Sequence, residues 1–184
     1  MNNILWAKHY DPLLDPVPEG KIIEYILDGG REGGKTQHIS AAAIDMVRDL
    51  NGGSFIAARA NAVDLAGSVR ESIVKKIREG GLTHEVRIPD SKLTITHIPT
   101  GHKIYFRAYE KSITRTKGDE PSGAVVGVWI EEANEGRNPL MLDAMLTTYY
   151  RHMKHGGKIF FSYNPMPQPI HWSHEYFAKK KLGG

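Results

Sequence analysis

The chain contains no cysteine. Disulfides and thiolate metal sites are therefore excluded, which suits a reducing compartment. No apolar run approaches the roughly 18 residues that a membrane-spanning helix requires. The opening residues, MNNILWAKHYD, lack a signal-peptide core, so secretion is not expected. There is no internal repeat and no low-complexity tract. Nine histidines invite a metal reading. However, neither His152/His155 nor His171/His174, each pair three residues apart, has a third ligand nearby, so zinc is not expected.

What is present is an ordinary globular composition, 40% hydrophobic and 24% charged over 184 residues, enough for one domain with a sizeable core. The formal charge of +3 is unevenly spread: residues 59–117 carry 12 Lys/Arg against 6 Asp/Glu. A basic segment can follow a phosphate backbone, although on charge alone an ordinary solvated surface is the simpler account.

Short, nearly continuous apolar runs at 22–28 (IIEYILD), 54–58 (SFIAA), 124–130 (AVVGVWI) and 158–163 (KIFFSY) predict strands covered on both faces. Between them, helical spacing predicts helices over about 34–50, 63–79 and 139–154. Gly-Gly pairs at 52–53, 80–81 and 156–157 follow these helix-like stretches, where a helix end favours glycine. Alternation of this kind implies an α/β fold with a mostly parallel sheet flanked by helices. KLTITHI and KIYFRAY, joined by PTGH, predict an inserted antiparallel β-hairpin. Residues 1–20, with three prolines, read as an extended N-terminal arm before a domain over 21–184.

Chemistry concentrates at three places. Gly29–Thr36 satisfies G-x-x-x-x-G-K-[ST] between a strand-like and a helix-like run, the context in which backbone N–H groups and a helix N-terminus converge on phosphates. The nucleotide-binding residues expected there are Gly29, Gly30, Arg31, Glu32, Gly33, Gly34, Lys35, Thr36 and Gln37. Lys35 would reach the terminal phosphates and Thr36 would ligate Mg²⁺. In VVGVWIEEANE, two glutamates leave a strand end that should face the same crevice. Glu131 is placed for Mg²⁺ and Glu132 for polarising the attacking water, a pairing that favours hydrolysis. Finally, FFSYNP puts Ser162 and Asn164 at a strand tip, before Pro165 ends the pairing.

LDGGREGGKT, AARANAVDLAGSVRESI, TGHKIYFRA, VWIEEANE and FFSYNPMPQPIHW together resemble, in order, the ATPase domain of the large terminase subunit, the motor that packages DNA into tailed-phage capsids. The resemblance spans about residues 22–177. It implies an additional-strand, RecA-like P-loop NTPase fold and ATP hydrolysis with Mg²⁺, driving translocation of double-stranded DNA. It further implies a homo-oligomeric ring on a portal, a small terminase subunit as partner, no membrane, and a host-cell cytoplasmic setting. It assigns the phosphate-loop lysine to Lys35, the metal carboxylate to Glu131, the catalytic glutamate to Glu132 and the coupling motif to Ser162, Asn164 and Pro165. Arg31 stands where family loops often carry a γ-phosphate arginine. Arg107 and Arg115 are candidates for an arginine acting on a neighbouring subunit. No glutamine before Gln37 matches the usual adenine reader, so the choice of ATP over GTP stays open. The C-terminal nuclease domain of full-length subunits has no counterpart, and the chain reads as a fragment. Two alternatives stand beside this reading: a P-loop ATPase or helicase-like enzyme of another lineage, and an ATP-binding assembly module with little turnover alone.

Overall fold

The computed structural model describes residues 8–30, 33–90, 94–110, 121, 123–167 and 171–182. These form a seven-stranded sheet in the order β1-β7-β6-β2-β5-β4-β3. The strands are β1 (Ile22–Asp28), β2 (Ser54–Arg59), β3 (Val86–Arg87), β4 (Thr94–His97), β5 (Lys103–Ala108), β6 (Val125–Glu131) and β7 (Gly157–Tyr163). The helices are α1 (Lys35–Arg48), α2 (Ala62–Leu65), α3 (Glu71–Glu79), α4 (Pro139–Tyr150) and α5 (Trp172–Leu182). All four predicted main strands form, and β1, β7, β6, β2 and β5 run parallel.

Residues alternate between the two faces of the sheet, and both faces are covered, as an internal parallel sheet requires. On one side Phe55, Ala57, Trp129 and Phe160 pack with α1, α3, Tyr10 and Leu13. On the other, Ile56, Ala58, Val128, Ile130, Ile159 and Phe161 meet Leu142, Leu146 and Tyr149 of α4 and Phe177 of α5. Burying each such large apolar side chain contributes about 1.5–3 kcal/mol. Trp129 is fully buried, as its place in an apolar strand predicts.

The structure adds to the sequence expectations in some places and departs from them in others. The inserted β4–β5 hairpin forms as expected, and β5 also pairs in parallel with β2, so the hairpin is built into the far wing of the main sheet. The short strand β3 extends that wing. The second helix is broken into α2, a π-helical turn at Ala66–Arg70, and α3. Residues 8–13, expected as part of an extended arm, form a 3₁₀ turn whose Tyr10 and Leu13 enter the core. Tyr25 Oη donates to Pro12 O at 2.7 Å, and the buried Lys158 ammonium donates to Leu13 O.

The third helix starts cleanly because Asn138 Oδ1 accepts from the Leu140 N–H at 2.8 Å, with Pro139 in the first turn. It ends at Tyr150, four residues before the expected limit. Helix α5 was not foreseen. It is fixed against β1 by Lys180 to Glu24 at 2.8 Å and Lys181 to Asp28 at 2.7 Å, and Phe177 stacks on Tyr163 at 4.5 Å.

A glycine interrupts the most apolar strand for a steric reason. A Cβ at Gly127 would stand 2.5 Å from Cδ2 and Cε2 of the fully buried Phe55 ring and 3.2 Å from Met46 Cε. Gly127→Ala is therefore expected to cost about 1–3 kcal/mol by overpacking. Thermal unfolding reads this directly, at about 2–4 °C per kcal/mol for a chain of this size. An unchanged midpoint would show that the Phe55 ring moves aside without penalty.

Candidate active site

Parallel pairing sets the ends of three strands level. Asp28 of β1 lies beside Tyr163 of β7, and Ser162 of β7 beside Glu131 of β6. The loops leaving these ends enclose a cleft of about 320 Å³, within the range of small-molecule sites. Gly34, Lys35, Thr36, Gln37, Glu131, Glu132, Ser162, Tyr163 and Asn164 line it. The structure thus gathers residues from all three sequence motifs around one space.

The loop before α1 turns back on itself. Gly33 N–H donates to Gly30 O at 3.2 Å, and Gly34 takes a left-handed φ of 74° that glycine adopts without strain. Lys35 Nζ donates to Gly29 O at 2.5 Å, to Gly30 O at 2.9 Å and to Asn164 Oδ1 at 3.3 Å. From behind, the Tyr10 hydroxyl donates to Gly33 O, and its ring stacks on His38 at 4.0 Å. His38 Nδ1 lies 2.8 Å from Gly34 O. The N-terminal 3₁₀ turn is therefore a backstop for the phosphate loop.

Glu132 has a positive φ of 47°, the only non-glycine residue so placed among the described residues. Such a conformation costs about 1–3 kcal/mol and clusters at functional sites. Its carboxylate accepts from Asn164 Nδ2 at 2.9 Å and from Asn164 N at 3.4 Å. One amide side chain thus joins the lysine to the glutamate, its oxygen facing the ammonium and its nitrogen the carboxylate.

Glu131 is held differently. It is only 7% exposed, and its Oε2 accepts from Ser68 Oγ at 2.6 Å and Arg59 Nη1 at 3.4 Å. Burial pushes its carboxyl above the usual carboxylate range; Ser68 and Arg59 oppose that shift, while Glu132 and Glu135 add to it. With Thr36 across the cleft, Glu131 supplies hard oxygen ligands suited to Mg²⁺. The described residues hold no cluster of three or more His, Asp or Glu able to bind a metal. A magnesium ion that takes much of its shell from substrate phosphates and water does not require one.

Ser162 is buried, and its hydroxyl accepts from Trp129 Nε1 at 2.8 Å, leaving its own proton to donate. Asn134 Nδ2 donates to Asn164 O at 2.7 Å and fixes the loop beyond β7. Pro165 follows just outside the cleft lining. Arg107 is buried over the Tyr105 ring at 5.1 Å, bonded to Phe106 O and paired with the Tyr149 hydroxyl. Its guanidinium is engaged inside its own chain and is poorly placed to reach a neighbour. Arg31, Glu32 and Arg115 lie outside the described residues.

Sequence reasoning missed Arg59, Ser68, Tyr10, Asn134 and Tyr163. Arg59 alone left a usable signal. It ends an apolar strand as Glu131 does, and parallel pairing of Ala58 with Ile130 sets the two charges side by side.

The Tyr10 contact is separable from its stacking. Tyr10→Phe keeps the ring on His38 and removes the hydrogen bond to Gly33 O, a loss of about 0.5–1.5 kcal/mol. Faster hydrogen exchange at the amides of residues 33–36 is the expected result. Unchanged exchange there would assign loop rigidity to other contacts.

Comparison with known proteins bears on this architecture. Residues 23–182 match the phage terminase large subunit family. The large terminase subunit of Bacillus phage SPP1 is 27% identical over 181 residues, 96% of this chain and 42% of the relative. The chain thus spans about two-fifths of that relative's length. Among solved structures, the HK97 bacteriophage large terminase gives a TM-score of 0.66 at 15% identity, covering 87% of this chain and 33% of its own. The large terminase of a thermophilic bacteriophage, solved in complex with ADP, gives 0.61 at 21%, covering 93% and 39%. The Thermus phage P74-26 large terminase ATPase domain gives 0.56 at 16%, covering 92% and 72%. These likenesses establish the RecA-like P-loop fold, in which β7 is the additional strand between the phosphate-loop strand and the strand bearing Glu131. By this match over most of its length, the chain belongs to the phage terminase large subunit family.

Proposed function

We propose that the domain hydrolyses ATP and that this hydrolysis powers translocation of double-stranded viral DNA into a capsid. The observation that carries the reading is the Asn164 amide, which links Lys35 to Glu132 within one cleft beside Glu131. Family membership supports the biological setting, as do the ADP complex of the thermophilic-phage relative and the ATPase-domain description of the P74-26 relative.

In this reading the loop amides and Lys35 bind the β- and γ-phosphates. Thr36 and Glu131 hold Mg²⁺, which when bound neutralises phosphate charge and polarises the transferring group. Glu132 orients and polarises the attacking water. When the terminal phosphate takes the Lys35 ammonium, the Asn164 side chain loses one of its two partners while still holding Glu132. Occupancy of the phosphate site is thereby transmitted to the residue that acts on water. Asn164 also leads into Pro165 and the segment beyond, the route by which hydrolysis would move other parts of the motor. Arg31 and Glu32 are proposed as further nucleotide-binding residues, with Arg31 in the role of the γ-phosphate arginine. Arg115 is the better remaining choice for a neighbour-supplied arginine, given the burial of Arg107. A homo-oligomeric ring, a portal, the small terminase subunit and action inside the host cell complete the proposal. No helix of the described residues is long and apolar enough to cross a membrane.

Phosphate release from Mg-ATP tests the chemistry. Lys35→Ala is expected to abolish turnover, because the cleft loses its phosphate-facing ammonium. Glu132→Gln should retain Mg-ATP binding by calorimetry and lose at least about 10²-fold in rate, the usual scale for a positioned base. Unchanged kinetics in Lys35→Ala, or lost binding in Glu132→Gln, would refute these roles. Stimulation by duplex DNA and not by single strands is expected of a packaging motor; the reverse would favour a helicase.

A further inference from the structure

Ser68 occupies an unusual junction. It lies in the π-helical turn Ala66–Arg70, between α2 and α3. Such turns are rare, and they recur at functional sites because they re-aim a side chain. Here the turn brings Ser68 Oγ within 2.6 Å of Glu131 Oε2, 2.7 Å of Arg59 Nη1 and 2.8 Å of the Asp64 carbonyl oxygen. The hydroxyl accepts from the guanidinium and has one proton for its two acceptors, of which the carboxylate is the closer.

Arg59 is itself immobilised. Glu135 accepts from its Nε at 3.0 Å and its Nη2 at 2.8 Å, a two-point grip that fixes the plane of the guanidinium. Its remaining edge, Nη1, serves Ser68 and Glu131. Both contacts to Glu131 fall on Oε2, whereas Oε1 has no hydrogen bond among the described residues. Glu131 lines the cleft from this held position.

The geometry points to Ser68 and Arg59 as positioning residues for the metal carboxylate: they pin Oε2 of Glu131 so that Oε1 is presented to the cation. This rests on the metal role proposed for Glu131. Donors on the far oxygen of a ligating carboxylate fix its orientation, and loss of such an outer partner typically weakens metal affinity about 10–100-fold. The π turn is then the device that brings a helix hydroxyl to a strand-end acid, and Glu135 acts one step further out, through Arg59.

The test is Mn²⁺ binding in the presence of ADP, followed by loss of the free-ion EPR signal, together with ADP affinity in EDTA and thermal unfolding. Ser68→Ala is expected to weaken Mn²⁺ binding about tenfold or more, with metal-free ADP affinity and the unfolding midpoint close to wild type. Ser68→Thr, which restores a hydroxyl, should recover most of the affinity. Arg59→Lys, which keeps the charge but loses the two-point grip, should also weaken Mn²⁺ binding. Wild-type Mn²⁺ affinity in Ser68→Ala would overturn the inference, and so would an equal fall in metal-dependent and metal-free binding. Glu131→Gln separates the two levels of the argument. If it loses Mn²⁺ while Ser68→Ala does not, the metal role stands and the positioning role fails. If it binds Mn²⁺ as the wild type does, the metal role fails and the positioning role with it.

Discussion

The cleft depends on the parallel register of β1, β7 and β6. Neighbouring strands lie about 4.8 Å apart, so three strands ending level release their loops within about 10 Å of one another. Asp28 beside Tyr163, and Ser162 beside Glu131, set that level. A slip of one residue in β6 would send Glu131 to the opposite face and destroy the arrangement, whatever became of the loop sequence. The packing that fixes the register is deep: Trp129, Phe160 and Phe55 on one side, Ile130 and Phe161 on the other. Core and site are thus one construction, with the apolar strands acting as the ruler for polar groups at their ends.

The polar groups are arranged to keep charge from standing alone in a poorly hydrated place. Two carboxylates follow each other in sequence, yet each has its own partners: Arg59 and Ser68 for Glu131, Asn164 for Glu132. The second carboxylate stands on a strained backbone, with a positive φ at Glu132. That strain is held in place by an amide which also binds Lys35. The phosphate loop is braced in turn from behind by Tyr10 and His38. Buried charge is costly unless paired, and here the pairs are also the residues proposed to do the chemistry.

Much of this was legible in the sequence, for physical reasons that can be named. Short apolar runs between glycines locate the parallel strands, because strands covered on both faces cannot be polar. The phosphate loop and the Glu131–Glu132 pair are legible because each is a local arrangement of a few residues at a strand end. What stayed hidden depends on distant partners. The pairing of β5 with β2 is decided by the sheet as a whole and not by the hairpin residues. Tyr10 sits among prolines and looks like a tail until Lys158 and Tyr25 are seen to hold its neighbours. Ser68 is an ordinary helix serine until a π turn points it at Glu131. Arg107 reads as a candidate for a neighbour-directed arginine in the sequence because composition does not reveal its burial.

The strand order also has a consequence for how the molecule is made. Among the described residues β1 has a single neighbour in the sheet, β7, and the two are separated in the chain by every other strand. On a ribosome β1 emerges before the other described strands and must wait, unpaired, until β2 to β6 and then β7 have followed it. Contacts that join distant stretches form slowly, after the loop-closure entropy has been met. Of the features built on this sheet, the cleft therefore closes last. A nascent chain carries its phosphate loop without Asn164 or a seated Glu132 while β2 to β6 are made, and the cleft takes shape only when β7 slides between β1 and β6.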